Sequence, residues 1–274
     1  MKKWNFLLLV ILFQTQALFA CNYPFEGIEF INIADFTFSF KNGQFEESRW
    51  NEYGECIKQS YPYLLKTEGA YLVAYITKNG ARNKIYIFNA DKKHIILYDF
   101  NSKDVIVGTE KKGHRDEPWI YSVLNPHVSS YLTESLRGRK VSYPAENLNI
   151  ANLAYSWVEG VEGYGKGEVV SFKNRINGSR RIYIINGFFS PDKPSLFYDN
   201  NRIKDLSIRC YKDDEVVATV CKTLEDTGKM QVIEFSERYE KFDFVIEDVY
   251  YGKKYNDTAI TGIFLDALDC FSKE

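Results

Sequence analysis

Short apolar runs that alternate with polar residues and end at turn residues recur along most of the chain. In the first half, "YLVAYIT" begins at Tyr71, and "NKIYIFN", "HIILYDF" and "VIVG" follow after the turns "KNGAR", "ADKK" and "NSKD". Runs rich in Ile, Val, Tyr and Phe between Asn, Asp and Gly turns are typical of hairpins. The pattern predicts a β meander over residues 71–108. Alternating phenylalanines predict one or two further strands over residues 28–40.

The pattern changes between Gly113 and Gly138. Pro118 and Pro126 interrupt it, and "HVSSYLTESLRG" is typical of a short helix closed by Gly138. We therefore predict that a first domain ends here and that "GRKVSYPAEN" is the linker to a second domain.

The second half returns to short, mostly alternating runs bounded by Gly, Asn, Asp or Pro. Short strands at such spacing, without a long helical pattern, indicate a β sandwich or jelly roll. The predicted fold class is therefore all-β, with a smaller β-rich meander domain at residues 21–138 and a jelly-roll domain at residues 139–270. The predicted strands of the second domain cover residues 168–173, 181–186, 205–211, 215–221, 231–235, 242–250 and 259–265.

The N-terminus has the features of an export signal over residues 1–20. Two lysines precede an apolar run at residues 6–13, which is shorter than the roughly 20 apolar residues of a spanning helix. Cys21 fits the lipidated cysteine of bacterial lipoproteins, although Phe19 is bulkier than the residue that is usual two positions before that cysteine. Two outcomes stay open: lipidation of Cys21 with attachment to the membrane, or ordinary cleavage that leaves a periplasmic or secreted protein.

Composition narrows the classes of function. The formal net charge is −2 and no basic patch stands out, which argues against an electrostatic nucleic-acid binder. The 20 Tyr and 20 Phe suit strands and half-exposed surfaces. No cysteine has a metal-binding or redox spacing, so no metal site is predicted. The pairing of the cysteines that follow Cys21 stays open; they are Cys56, Cys210, Cys221 and Cys270.

The segment "SWVEGVEGYGKGEVVSF" at residues 156–172 combines glycines with acids and aromatics. Its glycines do not form GxGxxG, and a strand follows where a phosphate site needs the N-terminus of a helix. Its acidic residues, Glu159, Glu162 and Glu168, would also repel an anion. We predict a surface loop that enters a strand, with a sugar site as the functional alternative.

Several separated motifs of the second half carry a resemblance to a known family. They are "YPAENLNIANLAYSWVEGVEGYGKGEVVSF", "IYIINGF", "LFYDNNRIKDLSI", "LEDTGKMQVIEF" and "VYYGKKYNDTAITGI". In this order and spacing, residues 141–268 resemble the discoidin-type (galactose-binding-like) jelly roll, in particular the glycan-binding and translocation domain of bacterial NAD glycohydrolase toxins. The resemblance implies a noncatalytic module for carbohydrate binding or surface attachment. The catalytic domain of those toxins has no counterpart in this chain, so no enzyme activity and no catalytic residue is predicted.

One departure from the family concerns calcium. Where the family usually has Phe-Asp-Gly-Asp, this chain has Asn149-Ile150-Ala151-Asn152, and Tyr155 stands where Thr is usual. Related domains hold calcium with the oxygens of such a turn, and calcium takes about six to eight oxygen ligands. The prediction is therefore no cofactor, with weak support for calcium.

The candidate ligand contacts are aromatic and polar residues within the matched motifs. Aromatic faces suit the apolar face of a sugar ring, and polar side chains suit its hydroxyls. The alternation around Trp157 also fits a core aromatic, and the polar residues fit a role in tying loops together. The predicted ligand-binding residues are Trp157, Glu159, Tyr164, Asn186, Arg202, Tyr255 and Asp257.

The predicted function is binding of a glycan or another surface ligand by an exported, envelope-attached, noncatalytic protein. The alternative is a structural or protein-interaction scaffold of the bacterial envelope, which the altered loop at residues 149–152 motivates. A hydrolase in residues 22–138 has little support, because no nucleophile, metal set or acid–base pair stands out there.

Overall fold

A computed structural model of the chain describes residues 23–32, 36–111, 120–174 and 178–266. Strands make up nearly all regular structure in these residues, and the predicted all-β fold class is confirmed. The predicted export signal, the lipidation site Cys21 and also Cys270 lie outside the described residues. Within the part of the chain that the structure describes, no helix is long and apolar enough to cross a membrane.

Eight strands of the first half form a closed antiparallel barrel, in which each strand pairs with the next and the first pairs with the eighth. The long fourth strand pairs with the third through its first half and with the fifth through its second half. The predicted meander corresponds to the last four strands. The strands are β1 (Glu29–Ile31), β2 (Thr37–Lys41), β3 (Gln44–Trp50), β4 (Cys56–Glu68), β5 (Tyr71–Lys78), β6 (Ala81–Asn89), β7 (His94–Asp99) and β8 (Val105–Glu110).

Alternation along the strands decides which side chains fill the barrel. Phe38 and Phe40 of β2 point inward, where they contact Phe30 and Phe45 of the neighbouring strands. Gly108 of β8 leaves room for these rings, because a Cβ there would lie 2.6 Å from the Cζ atom of Phe38. Aromatic rings therefore fill this part of the barrel.

The remaining strands form a two-layered jelly roll. Its elements are β9 (Ile120–Ser122), β10 (Leu124–Val128), β11 (Thr133–Leu136), β12 (Arg139–Ser142), the 3-10 helices η1 (Ala145–Leu148) and η2 (Ile150–Asn152), β13 (Trp157–Val158), β14 (Val169–Lys173), β15 (Ser179–Asn186), the short helix α1 (Leu196–Asp199), β16 (Asn201–Lys212), β17 (Glu215–Thr223), β18 (Met230–Tyr239), β19 (Lys241–Tyr250) and β20 (Thr258–Asp266).

One layer of the jelly roll has the strand order β10-β14-β19-β16, with β17 on β16. The other layer has β15 between β18 and β20, with β9 and β13 also on β20.

The jelly-roll core lies between these two layers. Ile182 and Ile184 of β15 and Leu206 and Ile208 of β16 belong to one buried apolar cluster, together with Trp157. The seven strands predicted for this half correspond to β14–β20. A short parallel pairing of β16 with β20 joins the layers at one end of the sandwich.

The helix predicted over residues 127–138 is wrong. β10 ends at Val128, and β11 and β12 form a hairpin in place of a helix. The two turn residues, Arg137 and Gly138, have φ angles of +51° and +77°. Both positive angles fit a primed two-residue hairpin turn, so Gly138 serves this turn and not the end of a helix.

The strand pairings also indicate where the chain divides into its two domains. β9 and β10 lie before residue 138, yet they pair with β20 and β14 of the jelly roll. The sequence placed the two domains at residues 21–138 and 139–270. We propose a boundary after residue 111, because every described strand then lies in the same unit as the strands with which it pairs.

The outer wall of the barrel at β5–β8 packs against the jelly roll. Alternate residues of these strands point away from the barrel core and belong to a second buried apolar cluster, which β15 and β20 share. The rings of Tyr71, Tyr86, Phe88 and Tyr98 surround Phe189, with ring centroids 5.0 to 5.5 Å away. Aromatic pairs at such distances contribute beyond the apolar area that they bury.

Polar groups in this interface are satisfied across it. The Tyr86 hydroxyl donates to the carbonyl oxygen of Pro191 at 2.9 Å. The fully buried His94 ring lies between Thr109, 2.9 Å from Nδ1, and Asp266, 3.3 Å from Nε2. Because leaving buried polar groups unpaired is costly, these contacts favour one fixed docking of barrel and jelly roll.

The described cysteines are free thiols. Cys56 and Cys221 are exposed, whereas Cys210 is buried and its burial raises the pKa of its thiol to about 11. A thiol with a raised pKa is a poor nucleophile at neutral pH, so Cys210 serves the core as a small apolar side chain.

Candidate functional site

Three segments of the jelly roll meet at the end where the two layers join. We call this region the loop end; it comprises residues 159–168, 187–200 and 251–257. The Thr258 hydroxyl donates to the carbonyl oxygen of Tyr164 at 2.7 Å. The backbone N–H of Asn201 donates to the carbonyl oxygen of Asp257 at 2.9 Å. Side-chain and backbone hydrogen bonds therefore fix the segments relative to one another.

Four of the seven predicted site residues are buried. Trp157 is 0% exposed and its indole N–H donates to the carbonyl oxygen of Ser130 at 3.0 Å. Asn186 donates to the carbonyl oxygen of Ile203 at 2.7 Å and accepts from its N–H at 3.0 Å, which ties β15 to β16. A ligand at the surface would not contact these two side chains directly. They would affect binding only by holding other residues in place.

Arg202 is the third buried residue of the set. Its guanidinium group binds the carboxylate of Asp226 in a bidentate manner, at 3.0 and 2.7 Å, and also donates to the carbonyl oxygens of Asn200 and Tyr251. These bonds join three segments around the loop end. Arg202 is thereby engaged within the protein.

Glu159 is the fourth buried residue of the set, and its position accounts for a glycine in the glycine-rich segment. Its carboxylate accepts the N–H of Val161 at 2.8 Å and that of Thr258 at 3.3 Å, so that it joins two segments of the loop end. Burial raises the pKa of Glu159, and these two N–H donors offset part of that effect. Gly165 has a φ of +74°, and a Cβ there would lie 2.7 Å from the Cγ of Glu159. The predicted surface loop thus carries a buried acid that only glycine can cover.

Tyr255 and Asp257 lie half-buried beside two residues that sequence reasoning missed. The hydroxyl of Tyr143 donates to Glu134 at 2.8 Å, and the Tyr143 ring contacts Phe188 edge-on at 5.8 Å between centroids. We call the set Glu134, Tyr143, Phe188, Tyr255 and Asp257 the acidic–aromatic cluster.

Backbone hydrogen bonds bring the two parts of the acidic–aromatic cluster together, because the N–H of Val158 donates to the carbonyl oxygen of Tyr143 at 3.3 Å and the N–H of Glu159 donates to that of Thr258 at 3.1 Å. Burial raises the pKa of Asp257, and the nearby charge of Glu134 raises it further. Burial also raises the pKa of Tyr143, and Glu134 and Asp257 add to this shift. Two carboxylates that share a partly dehydrated site favour neutral or cationic ligand groups over anions.

Tyr164 is the seventh predicted residue. Its half-buried ring meets that of Tyr251 edge-on, with centroids 5.7 Å apart, and Tyr251 is 65% exposed. The loop end therefore presents this aromatic pair in addition to the rings of the acidic–aromatic cluster.

This arrangement offers carboxylate acceptors, phenol donors and aromatic faces within one surface region. Hydroxyl-rich ligands are recognised by such groups, with aromatic rings against apolar faces of the ligand. In the described ranges, no group of three or more His, Cys, Asp or Glu residues could hold a metal ion. Sequence reasoning missed Glu134 and Tyr143 because it assigned them to the helix and the linker, although Tyr143 is the first residue of the first matched motif.

Comparisons with known proteins found one matching family model and several similar solved structures. A family model described as "NAD glycohydrolase translocation F5/8 type C domain" matches residues 119–266. The NMR structure of the Streptococcus pyogenes NAD+-glycohydrolase translocation domain is similar, with 28% identity, 37% of this chain and 89% of that chain covered, and a TM-score of 0.29. The family 32 carbohydrate-binding module of C. perfringens NanJ, solved with galactose, shows 14% identity, coverage of 52% and 92%, and a TM-score of 0.36.

Both TM-scores are below 0.5. A search of the curated proteins found no match. The family model spans more than half of the chain and is the finding that bears on the resemblance seen in the sequence.

Proposed function

Because the chain belongs to the NAD glycohydrolase translocation F5/8 type C domain family, as its motifs predicted, we propose that it is a noncatalytic protein that binds a glycan at the loop end of its jelly roll. The family assignment supports a carbohydrate-binding or translocation module. The glycan and the place where it binds are our proposal.

The observation that carries the proposal is the acidic–aromatic cluster. Asp257 and Tyr255 lie half-buried at the surface, and Glu134 and Tyr143 hydrogen-bond to each other beside them. Keeping a carboxyl group such as Asp257 in a position that raises its pKa costs folding stability. Such a cost is typical of binding sites, where polar groups are held ready for a ligand.

In this proposal the seven predicted residues have two kinds of role. Those at the surface contact the ligand, and they are Tyr164, Tyr255 and Asp257. The buried residues position the segments that carry them, and they are Trp157, Glu159, Asn186 and Arg202. Fixed loops reduce the entropy lost on binding, so the second group contributes to affinity without touching the sugar.

The carboxylates indicate which glycans to expect. Glu134 and Asp257 would repel a sugar acid, whereas neutral sugars can donate their hydroxyl protons to both groups. We therefore expect neutral glycans to bind and acidic ones to be rejected at the loop end.

The test is a glycan-array screen of the full chain, followed by titration of the strongest glycan. The variant Asp257→Asn keeps the shape of the side chain but loses its charge, and we expect it to weaken binding about tenfold, as for loss of a hydrogen bond to a charged group. Asp104→Asn, on an exposed barrel turn, is the matched control. An array with no neutral glycan above background, or equal affinity in all three proteins, would contradict the proposal.

We also propose that the protein is exported and attached to the bacterial envelope through Cys21. Support comes from the two lysines, the apolar run and the small residue before Cys21. Intact-mass measurement of the protein from its native host tests this. A mature chain that begins at Cys21 with a diacyl modification is expected, and an unmodified N-terminus would leave export by ordinary cleavage.

A second candidate function is a protein-interaction scaffold. In the described part of the chain, β17 pairs on one side only, with β16, and its Val216 and Val217 are 50% and 51% exposed. An exposed strand edge with apolar residues can receive a strand from another protein. Val217→Lys should then abolish recovery of a stoichiometric partner from envelope extract, and an extract without such a partner argues against this candidate.

A further inference from the structure

A groove of about 560 Å³ lies on the outer face of the barrel, across β1–β4. These strands form the wall opposite β5–β8, which pack on the jelly roll. The groove also lies outside residues 119–266, the part of the chain that the family model covers. It is therefore separate from the loop end.

The floor of the groove consists of side-chain hydroxyls. Thr37 and Ser39 of β2 point away from the aromatic barrel core, yet they are only 9% and 8% exposed because they lie at the bottom of the groove. Two rows of side chains run across the strands of the floor. In the first row the hydroxyl of Thr37 bonds to that of Ser48 at 2.6 Å. In the second row Ser39 of β2 lies opposite Glu46 of β3, which lies opposite Ser60 of β4. The hydroxyl groups of the floor can both donate and accept hydrogen bonds, whereas the carboxylate of Glu46 accepts them.

Two lysines lie along the groove without an ion-pair partner among the described residues. Lys41 ends β2, and Lys58 belongs to the same cross-strand row as Thr37. Lys41 lies four positions after Thr37 along β2, a span of about 13 Å at the rise of an antiparallel strand. By contrast, Glu29 at the groove is already paired with Lys111, at 3.1 Å. An ammonium group is therefore available toward each end of the hydroxyl floor.

We propose that this groove binds an acidic oligosaccharide. The floor hydroxyls and the carboxylate of Glu46 exchange hydrogen bonds with the sugar hydroxyls, while Lys41 and Lys58 pair with sugar carboxylates. Among the described residues that line the groove, the one aromatic side chain, Phe38, is buried, and such a polar floor suits a hydrated, charged sugar. Its charge preference is opposite to that of the acidic–aromatic cluster, so the two sites select different glycans.

Calorimetric titration of the full chain with trigalacturonate tests this proposal, with the uncharged maltotriose as the matched ligand. Trigalacturonate should bind and maltotriose should not. Affinity should fall by about tenfold in Lys41→Gln and again in Lys58→Gln, as for loss of a charge-assisted hydrogen bond. It should also fall as salt is raised, because exposed ion pairs are screened.

A control variant keeps the outcome specific. Lys92→Gln removes an exposed lysine from the β6–β7 turn and should bind trigalacturonate as the unaltered chain does. Absence of trigalacturonate binding, or equal affinity in the Lys41, Lys58 and Lys92 variants, overturns the proposal. Equally tight binding of a poly-glutamate peptide also overturns it, since the groove would then recognise negative charge without sugar hydroxyls.

Discussion

At the scale of single residues, the loop end depends on a glycine that lies against a buried acid. Glu159 is 0% exposed and joins two backbone segments through its carboxylate, and Gly165 covers it with a φ of +74°. Gly167 has a similar φ of +86°, but nothing lies within 4 Å of the position of its Cβ. The two glycines therefore separate the cost of backbone strain from the cost of a steric clash.

We predict that Gly165→Ala lowers the free energy of unfolding more than Gly167→Ala does. Each variant pays for a positive φ, of order 1 kcal/mol, and the first must also displace Glu159, for a total of about 2–4 kcal/mol. Urea denaturation of both variants measures the difference. Equal losses would show that Glu159 moves aside freely.

Asp257→Asn should stabilise the protein at neutral pH. Burial and Glu134 raise the pKa of Asp257 in the folded state, so the folded state loses stability as the pH rises through that pKa and the carboxyl group ionises. The asparagine variant avoids this loss. Its free energy of unfolding should exceed that of the unaltered chain at pH 7, and the difference should vanish below about pH 3, where both side chains are neutral. A difference that does not vary with pH would contradict this assignment.

The sequence predicted the surface members of the candidate site only in part. Tyr255 and Asp257 follow a strand and precede another, which indicates a loop, and the structure places them at the surface. Asn186 and Arg202 are also polar residues at strand ends, and nothing in their local sequence distinguishes them from ligand contacts. Their burial depends on Ile203 and Asp226, partners that become neighbours only when the two layers pack.

At the scale of elements, the β11–β12 hairpin carries the part of the acidic–aromatic cluster that the sequence did not indicate. Glu134 lies on β11, and Tyr143 directly follows β12. The hairpin pairs with no other strand in the described residues. The geometry of its turn therefore largely determines the register of its two strands. The turn has Arg137 in a left-handed conformation that arginine disfavours.

Arg137→Asn should stabilise this hairpin, because Asn-Gly is the preferred pair for a primed two-residue turn. A gain of about 0.5–1 kcal/mol is expected from relief of the left-handed strain. Hydrogen exchange of the amides in residues 133–142 would slow by up to about fivefold, whereas exchange in the barrel would not change. Faster exchange in the hairpin would mean that Arg137 makes a favourable contact that the turn geometry does not reveal.

The same elements show where the hydrophobic pattern predicts strands and where it does not. Most of the strands β14–β20 alternate and end at turn residues, whereas β20 is buried along its whole length, and all seven were predicted. β3 and β4 were missed, because only Phe45 and Glu47 of β3 are buried and most of β4 is exposed, with Pro62 in its middle. Their stability comes from barrel closure, which a local pattern does not record.

At the scale of the whole molecule, barrel and jelly roll form one unit through a shared aromatic cluster. Phe189 lies at its centre, in contact with four rings of the barrel, while Tyr183 reaches from β15 to Asp91 of the barrel at 3.2 Å. The sequence showed apolar residues on both faces of the meander strands. It did not show that the second face packs on the jelly roll, because that depends on how the barrel closes.

Phe189→Ala should destabilise the protein by about 3–5 kcal/mol, the usual cost of removing a fully buried phenylalanine. The variant leaves a cavity between the barrel and the jelly roll, which weakens the contact between them. We therefore also expect two thermal unfolding transitions in place of one. Tyr53→Ala removes a side chain that is 79% exposed and should change stability by less than about 0.5 kcal/mol. A small loss in Phe189→Ala would indicate that the interface contributes little.

The most direct test of the central claim is an NMR titration of the full chain with the neutral glycan that binds it most tightly. The account predicts that amide shifts concentrate in residues 131–143, 159–168, 187–188 and 251–258, and that they disappear in Asp257→Asn. Shifts confined to the edge strand β17, or saturable binding without any shift at the loop end, would contradict the claim that this surface is the glycan site.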